Sequence, residues 1–163
     1  MSSSGYHKLD VYNQAHDLAV RIHKMTFTLS AFEKYEEGSQ ARRSSKRVSS
    51  SVVEGYALRK YKAHFLVYLY RALGSADETQ EHLRFLIKTA SLSDVELGQT
   101  LLRAAEEVSQ KLARFIQGVE REHDASRPLL RPHLPESDGE AVLDPQVDAS
   151  DRTSDIRHRT SED

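Results

Sequence analysis

Residues 39–55 read SQARRSSKRVSSSVVEG, and this stretch decides the fold because a helix sorts its residues by chemistry. At about 100° per residue, Ala41, Ser44, Ser45, Val48, Val52 and Gly55 fall on one face, and Arg42, Arg43, Lys46 and Arg47 fall roughly opposite. Small side chains on one face let a neighbouring helix approach closely. Cations four apart, Arg42 with Lys46 and Arg43 with Arg47, form a ridge that attracts phosphate or carboxylate. Serine lowers helix propensity, so packing must stabilise the segment. It is expected to begin near Phe32 or Tyr35 and to end by Gly55, a residue type that punctuates helix C-termini.

Three further segments carry helical periodicity. Val11, Ala15, Leu18, Ile22, Met25 and Leu29 recur at spacings of four and three, the seam of a helix packed along its neighbours. Phe65, Leu69, Ala72, Ala76, Thr79, Leu83, Leu86 and Ala90 repeat that spacing, broadened by Leu66, Leu73 and Ile87. The last segment starts near Ser93, which forms a capping-box pattern with Glu96, and runs through Leu101, Ala105, Val108, Leu112, Phe115 and Val119. Short links favour antiparallel neighbours. The expected fold is therefore all-α, an antiparallel up-down four-helix bundle over residues 7–121. A flexible N-terminus, 1–6, precedes it, and an acidic, flexible tail, 122–163, follows with all four prolines.

Composition narrows the function classes. A chain of 163 residues suits one domain plus an appendage. It has no Cys, which excludes disulfides, thiolate catalysis and Cys-ligated metals and fits a cytoplasmic protein. No apolar run approaches the roughly 20 residues that span a bilayer, and the opening MSSSGYHK lacks a signal-peptide core, so a soluble protein is expected. The formal net charge of -2 hides an asymmetry, because residues 1–123 carry a net +3 and residues 124–163 a net -5. The positive excess is local, with 8 Lys+Arg against 3 Asp+Glu between Lys34 and His64. Such a local excess signals an anionic partner; the acidic tail is expected to be solvated, the alternative being that it folds back on the Arg42 to Arg47 face and competes with that partner.

The motifs then line up with a known family. Leu9, Val11, Tyr12, Ala15 and Leu18 resemble an opening L-x-V-[WY]-x-x-A-x-x-L. Gln40, Arg42 and Arg43 through Val48, Ser50, Glu54 and Gly55 resemble Q-x-R-R followed by S-I-P-S-N-I-A-E-G, and Ala72, Gly74, Ser75 and Glu78 resemble A-x-G-S-x-x-E. In this order the chain resembles, over nearly all of residues 7–120, the four-helix-bundle family of the intervening-sequence proteins of bacterial large-subunit ribosomal RNA genes. The Avd accessory proteins of diversity-generating retroelements are relatives. The sequence departs at Ser44-Ser45, where the family has Ala-Ala. Arg47, Ser49, Ser51 and Val53 also stand where it has Ser, Pro, Asn and Ala. The resemblance implies the bundle, a five-fold homo-oligomer (homopentamer) and, from the Avd branch, a nucleic acid and a reverse transcriptase as partners.

The residues themselves assign two surfaces. Arg42, Arg43, Lys46, Arg47, Arg59, Lys60 and Lys62 are the expected nucleic-acid-binding set, with Tyr61, His64, Tyr68 and Arg71 on a flank where bases would stack. Gln40, Ser44, Ser51, Val53, Glu54, Gly55, Gly74, Ser75 and Glu78 are the expected helix or subunit contacts, with Gly74 permitting close packing and Glu54 pairing with Arg43 or Arg47. No enzyme is expected, because there is no G-x-S-x-G, Walker or H-E-x-x-H pattern and neither Glu54 nor Glu78 has an acid-base partner. Glu120-x-x-His123 has the spacing of a bundle metal ligand pair but no second copy, and Glu78 with His82 does not supply one, so no metal or other cofactor is expected. The leading expectation is a non-enzymatic, homo-oligomeric nucleic-acid-binding accessory protein; the alternative is a homo-oligomeric protein-interaction scaffold without nucleic-acid binding.

Overall fold

The computed structural model describes residues 5–125, and side chains up to 122. A 3-10 turn, Gly5–Lys8, leads into α1, Asp10–Met25, and a second 3-10 turn, Thr26–Thr28, leaves it. There follow a short α2, Ala31–Tyr35, and three long helices: α3, Glu37–Ala57, α4, Lys62–Lys88, and α5, Val95–Ala125. The described residues contain no strand. The acidic tail lies outside the described residues from residue 126 on, as do residues 1–4.

The four long helices close a ring in which α1 touches α3 and α5, and α4 touches the same two. Cross-helix contacts show each neighbouring pair to be antiparallel. Glu37 meets His82, Ser44 meets Thr79, and Gly55 lies against Phe65 and Tyr68. On the next side, Arg84 meets Glu106, Gln80 meets Ser109, and Tyr70 meets Glu120. Asp10 at the start of α1 pairs with Lys111 in the second half of α5, which closes the up-down-up-down bundle.

The core follows the periodicity of the sequence. Ala15, Leu18 and Ile22 on α1, Ala41, Val48 and Val52 on α3, Leu69, Ala72, Ala76 and Leu83 on α4, and Leu101, Ala105 and Leu112 on α5 are fully or almost fully buried. Each buried Leu contributes about 1.5–3 kcal/mol relative to exposure. Three serines of α3 enter this core with their hydroxyls hydrogen-bonded. Ser44, Ser45 and Ser49 donate to the carbonyls of Ala41, Arg42 and Lys46 one turn back, at 3.3, 3.3 and 3.1 Å. Thr79 Oγ1 completes the contact from α4, 2.9 Å from Ser44 Oγ and 2.7 Å from the Ser75 carbonyl.

Helix ends differ from the sequence expectation at five places, each for a local reason. The segment after Leu29 is two helices, because Ser30 caps α2 by accepting from the Glu33 N–H at 3.3 Å and the chain then bends at Glu36, with ψ -107°. That bend seats Gly38 so closely that a Cβ would lie 2.8 Å from a Leu29 methyl. Gly55 does not end α3, which runs two residues further to Ala57; a Cβ there would meet Tyr68 Cβ at 3.0 Å and the Phe65 ring at 3.1 Å, so Gly55 is an approach point for α4. Ala90 does not continue the seam of α4, since it takes a left-handed φ of 55° and the chain turns there. The cap of α5 is Asp94, whose carboxylate accepts from the Leu97 N–H at 2.9 Å, so Ser93 and Glu96 do not form the box. At the other end, α5 passes residue 121 and extends to Ala125, and its seam buries Ile116 more fully than Phe115.

Candidate functional site

α3 lies between α1 and α4, so its outward arc is what remains after two neighbours have covered the small face. Gln40, Arg43, Lys46, Arg47, Ser50 and Glu54 are exposed on that arc, while Ser44, Ser51 and Gly55 are buried and Val53 is half-buried. The predicted cationic ridge is thereby divided. Arg43, Lys46 and, past the end of α3, Lys60 are exposed and have no ion pair among the described residues. Arg47 leans toward α4, where its guanidinium lies 3.7 Å from the Glu78 carboxylate. Arg42 is half-buried and donates to the Lys34 carbonyl at 3.0 Å, which removes it from the ridge. Lys62 is half-buried, and its ammonium donates to the Glu120 carbonyl at 2.8 Å. Arg59 stays exposed, with its guanidinium 4.2 Å over the Tyr56 ring and donating to the Tyr56 carbonyl.

The second and third sequence motifs come together across the α3–α4 junction. Arg47, Ser51 and Glu54, spaced by four and three on α3, face Arg71, Gly74, Ser75 and Glu78, spaced by three, one and three on α4, and these seven line a groove of about 550 Å³. Its floor is small and its walls carry two cations and two carboxylates. Gly74 does not bring helices together within the chain, because a Cβ added there meets nothing within 4 Å. It leaves the groove open to whatever enters from outside. No ion pair joins Glu54 to Arg43 or Arg47 among the described residues; the partner that Arg47 does find is Glu78, across the groove. Glu78 also lies 3.6 Å from His82, whose other ring nitrogen is 2.8 Å from Glu37, so one run of charge links both helices.

The groove contains Arg71, which sequence reading placed only on a stacking flank. Its offsets from Gly74, Ser75 and Glu78 are three, four and seven, so the helical projection contained the signal. The flank itself is partly assembled, with Arg71 5.0 Å over the Tyr68 ring and Tyr61 perpendicular to His64 at 6.2 Å. A second depression, of about 330 Å³ and mostly apolar, lies between α1 and α3, where Ala19, Val20 and Ser49 meet His16, His23, Lys24 and Lys46. Periodicity could not reveal it, since it arises where two helix surfaces fail to fill the space between them.

Among the described residues no group of three or more His, Asp or Glu side chains is placed to hold a metal. His123, half of the Glu120-x-x-His123 spacing, lies outside the described side chains. No helix among the described residues is long and apolar enough to cross a membrane.

Comparison with known proteins agrees with this fold. The crystal structure of a protein of unknown function from the S23 ribosomal protein family of Bacteroides thetaiotaomicron VPI-5482 matches with a TM-score of 0.59 at 25% identity, covering 66% of this chain and 95% of that one. No curated protein matches. The family described as 23S rRNA-intervening sequence protein matches residues 7–114, the stretch that contains α1 to α4, most of α5 and all three motifs. With two thirds of its length covered by that match, and its motifs placed on facing helices of one bundle, the chain belongs to the 23S rRNA-intervening sequence protein family.

Proposed function

We propose that the protein is a non-enzymatic, self-assembling module that binds nucleic acid along the outer face of α3. The observation that carries this reading is the exposure of Arg43 and Lys46 without a carboxylate partner, continued past the end of α3 by Arg59 and Lys60. Cations held on a rigid helix and left unneutralised contact phosphate without reference to sequence. Assembly is supported by the α3–α4 groove, whose open floor at Gly74 and paired charges of both signs would receive a helix from a second copy. Copies arranged in a closed ring, five by analogy with the resemblance noted above, would multiply the cationic surface. A relation to the Avd proteins would make a reverse transcriptase the protein partner and the cytoplasm the place of action.

The test is retention of labelled nucleic acid by the purified full chain at roughly 50 mM and 200 mM salt, where each phosphate contact steepens the salt dependence by about 0.7–0.9 in log–log slope. Strong retention that falls steeply with salt is the expected result. The double variant Arg43→Glu, Lys46→Glu should lose binding across all sequences and flatten the slope by about 2. Absence of retention at the lower salt, in a protein whose native mass shows an oligomer, would leave the protein-interaction scaffold as the function; the mixed charge of the groove favours that second reading.

A further inference from the structure

The end of the bundle where α1 begins, α3 ends and α4 begins collects aromatic rings. Tyr6, on the 3-10 turn before α1, packs at 4.0 Å against the His7 ring and edge-on to Tyr12 at 4.9 Å and Tyr56 at 6.5 Å. This ties the N-terminal turn to both α1 and α3. Tyr12 in turn stacks on His16 at 5.8 Å. His7 and His16 are exposed, and Tyr6, Tyr12 and Tyr56 are half-buried, so the rings hold one another in place while part of their surface remains open. Tyr61, in the turn between α3 and α4, is 64% exposed. Burial of apolar area does not account for a tyrosine that leaves most of itself in water.

Cations are interleaved with these rings. Arg59 lies 4.2 Å over Tyr56, which presents a flat guanidinium outward, and Lys8 and Lys60 are exposed nearby in the chain. Of the carboxylates at this end, Asp10 is held by Lys111 and Glu120 accepts from the Tyr70 hydroxyl at 2.9 Å, while Glu54 and Glu122 are exposed beside five cations, Lys8, Arg59, Lys60, Lys62 and Arg121. The opposite end also exposes rings, Phe27, Phe32 and Tyr35, and Lys34 lies 5.1 Å over Phe27, but five carboxylates, Glu33, Glu36, Glu37, Asp94 and Glu96, accompany them. Charge therefore distinguishes the two ends.

Aromatic faces and a guanidinium plane beside unpaired lysines match one chemistry, a base stacked on a ring with its phosphate on a cation. Duplex bases are already stacked on one another and cannot reach such rings. We infer that this end of the bundle, with His7, Tyr56, Arg59 and Tyr61, is a stacking platform for unpaired nucleotides, so that the nucleic acid the protein takes is single-stranded. The inference rests on the nucleic-acid reading above and adds the class of ligand. It assigns α3 two successive roles, phosphate contacts along its outer face and base contacts beyond its C-terminus.

The experiment compares 20-nucleotide oligo(U), oligo(dT) and a 20-base-pair duplex, each binding the full chain at roughly 50 mM salt, where phosphate contacts are strong. The single strands should bind at least about tenfold tighter than the duplex. His7→Ala with Tyr61→Ala, both at exposed positions, should weaken single-strand binding roughly 5- to 100-fold and leave duplex affinity unchanged. Tyr61→Trp should restore single-strand binding, with its fluorescence quenched as the strand docks. A preference for oligo(U) over oligo(dT), or the reverse, supports the platform equally, and oligo(dU) then separates the sugar from the thymine methyl. Equal affinity for strand and duplex, unaltered by the aromatic variants but lost with Arg43→Glu and Lys46→Glu, overturns the platform and leaves phosphate binding standing. No retention of any of the three overturns both.

Discussion

Two glycines and one alanine show how a single side chain is constrained. Gly55 and Gly74 each match a glycine of the family motifs, yet their surroundings are opposite. A methyl at Gly55 would meet Tyr68 Cβ at 3.0 Å and the Phe65 ring at 3.1 Å, and the backbone-linked Cβ cannot swing away. Gly55→Ala should therefore push α3 from α4 and destabilise the protein by about 1–3 kcal/mol, read from the midpoint of denaturant unfolding. Gly74→Ala meets nothing and removes a helix-interior glycine, so it should stabilise the isolated chain by roughly 0.5–1 kcal/mol in the same measurement. Ala90 pays in the other direction, holding a left-handed φ of 55° where α4 turns off. In this turn the Leu92 N–H reaches back to the Leu86 carbonyl at 3.2 Å. Relief of a strain of about 1–2 kcal/mol outweighs the extra freedom of glycine in the unfolded chain, so Ala90→Gly should raise the melting temperature by roughly 3 °C.

At the scale of elements, α3 illustrates how one helix can carry a poor propensity and still be rigid. Ser44, Ser45 and Ser49 satisfy their hydroxyls on their own helix, which turns polar residues into small core residues. The α4–α5 junction is held differently, by a polar seam outside the core. Gln80 donates to Ser109 at 2.7 Å, Ser109 to Asp77 at 2.9 Å, and Arg84 reaches both Gln80 and Glu106 at 3.2 Å. At one end of that seam the exposed Tyr70 hydroxyl donates to Glu120, and this bond, with slight desolvation and the nearby negative charge, raises the phenol above its ordinary value of 10.0. The neutral phenol is the form that makes the bond. Its contribution to stability is therefore complete below pH 10.0, the value in the unfolded chain, and fades as the pH rises through the higher folded value. Absorbance titration of tyrosinate should show one late-ionising group that disappears in Tyr70→Phe and moves back toward the ordinary value in Glu120→Gln.

For the whole molecule, the question is what the exposed α3–α4 groove meets. A small floor bounded by Arg47 and Arg71 on one hand and Glu54 and Glu78 on the other suits a surface that offers the same charges in return. Native mass measurement of the full chain should give a multiple of 18.5 kDa. Gly74→Leu, which fills the open floor, should shift the population toward single chains while far-ultraviolet circular dichroism stays helical. An oligomer unchanged by that substitution would place the subunit contact elsewhere on the bundle.

The four amphipathic stripes, their antiparallel order and most of the buried residues were legible in the sequence, because helical periodicity and short links are local properties. Val48, Val52, Leu69, Leu83 and Leu112 are buried where the four-three spacing puts them. The family motifs were legible too, since Gln40 to Gly55 and Ala72 to Glu78 each lie on one helix. Their meeting across a single groove was not, and neither was the fate of individual cations. Arg42 and Lys62 share the composition of the ridge, yet each is drawn to a backbone carbonyl of another segment, Lys34 and Glu120, that only packing brings near. The ring cluster of Tyr6, Tyr12 and Tyr56 likewise joins residues fifty apart. Sequence by itself determined the helices and their buried faces, because a repeating backbone geometry projects residue spacing onto a surface. Tertiary structure alone decided which charges stay free and which helix faces confront each other, because those depend on contacts between residues that no local spacing relates.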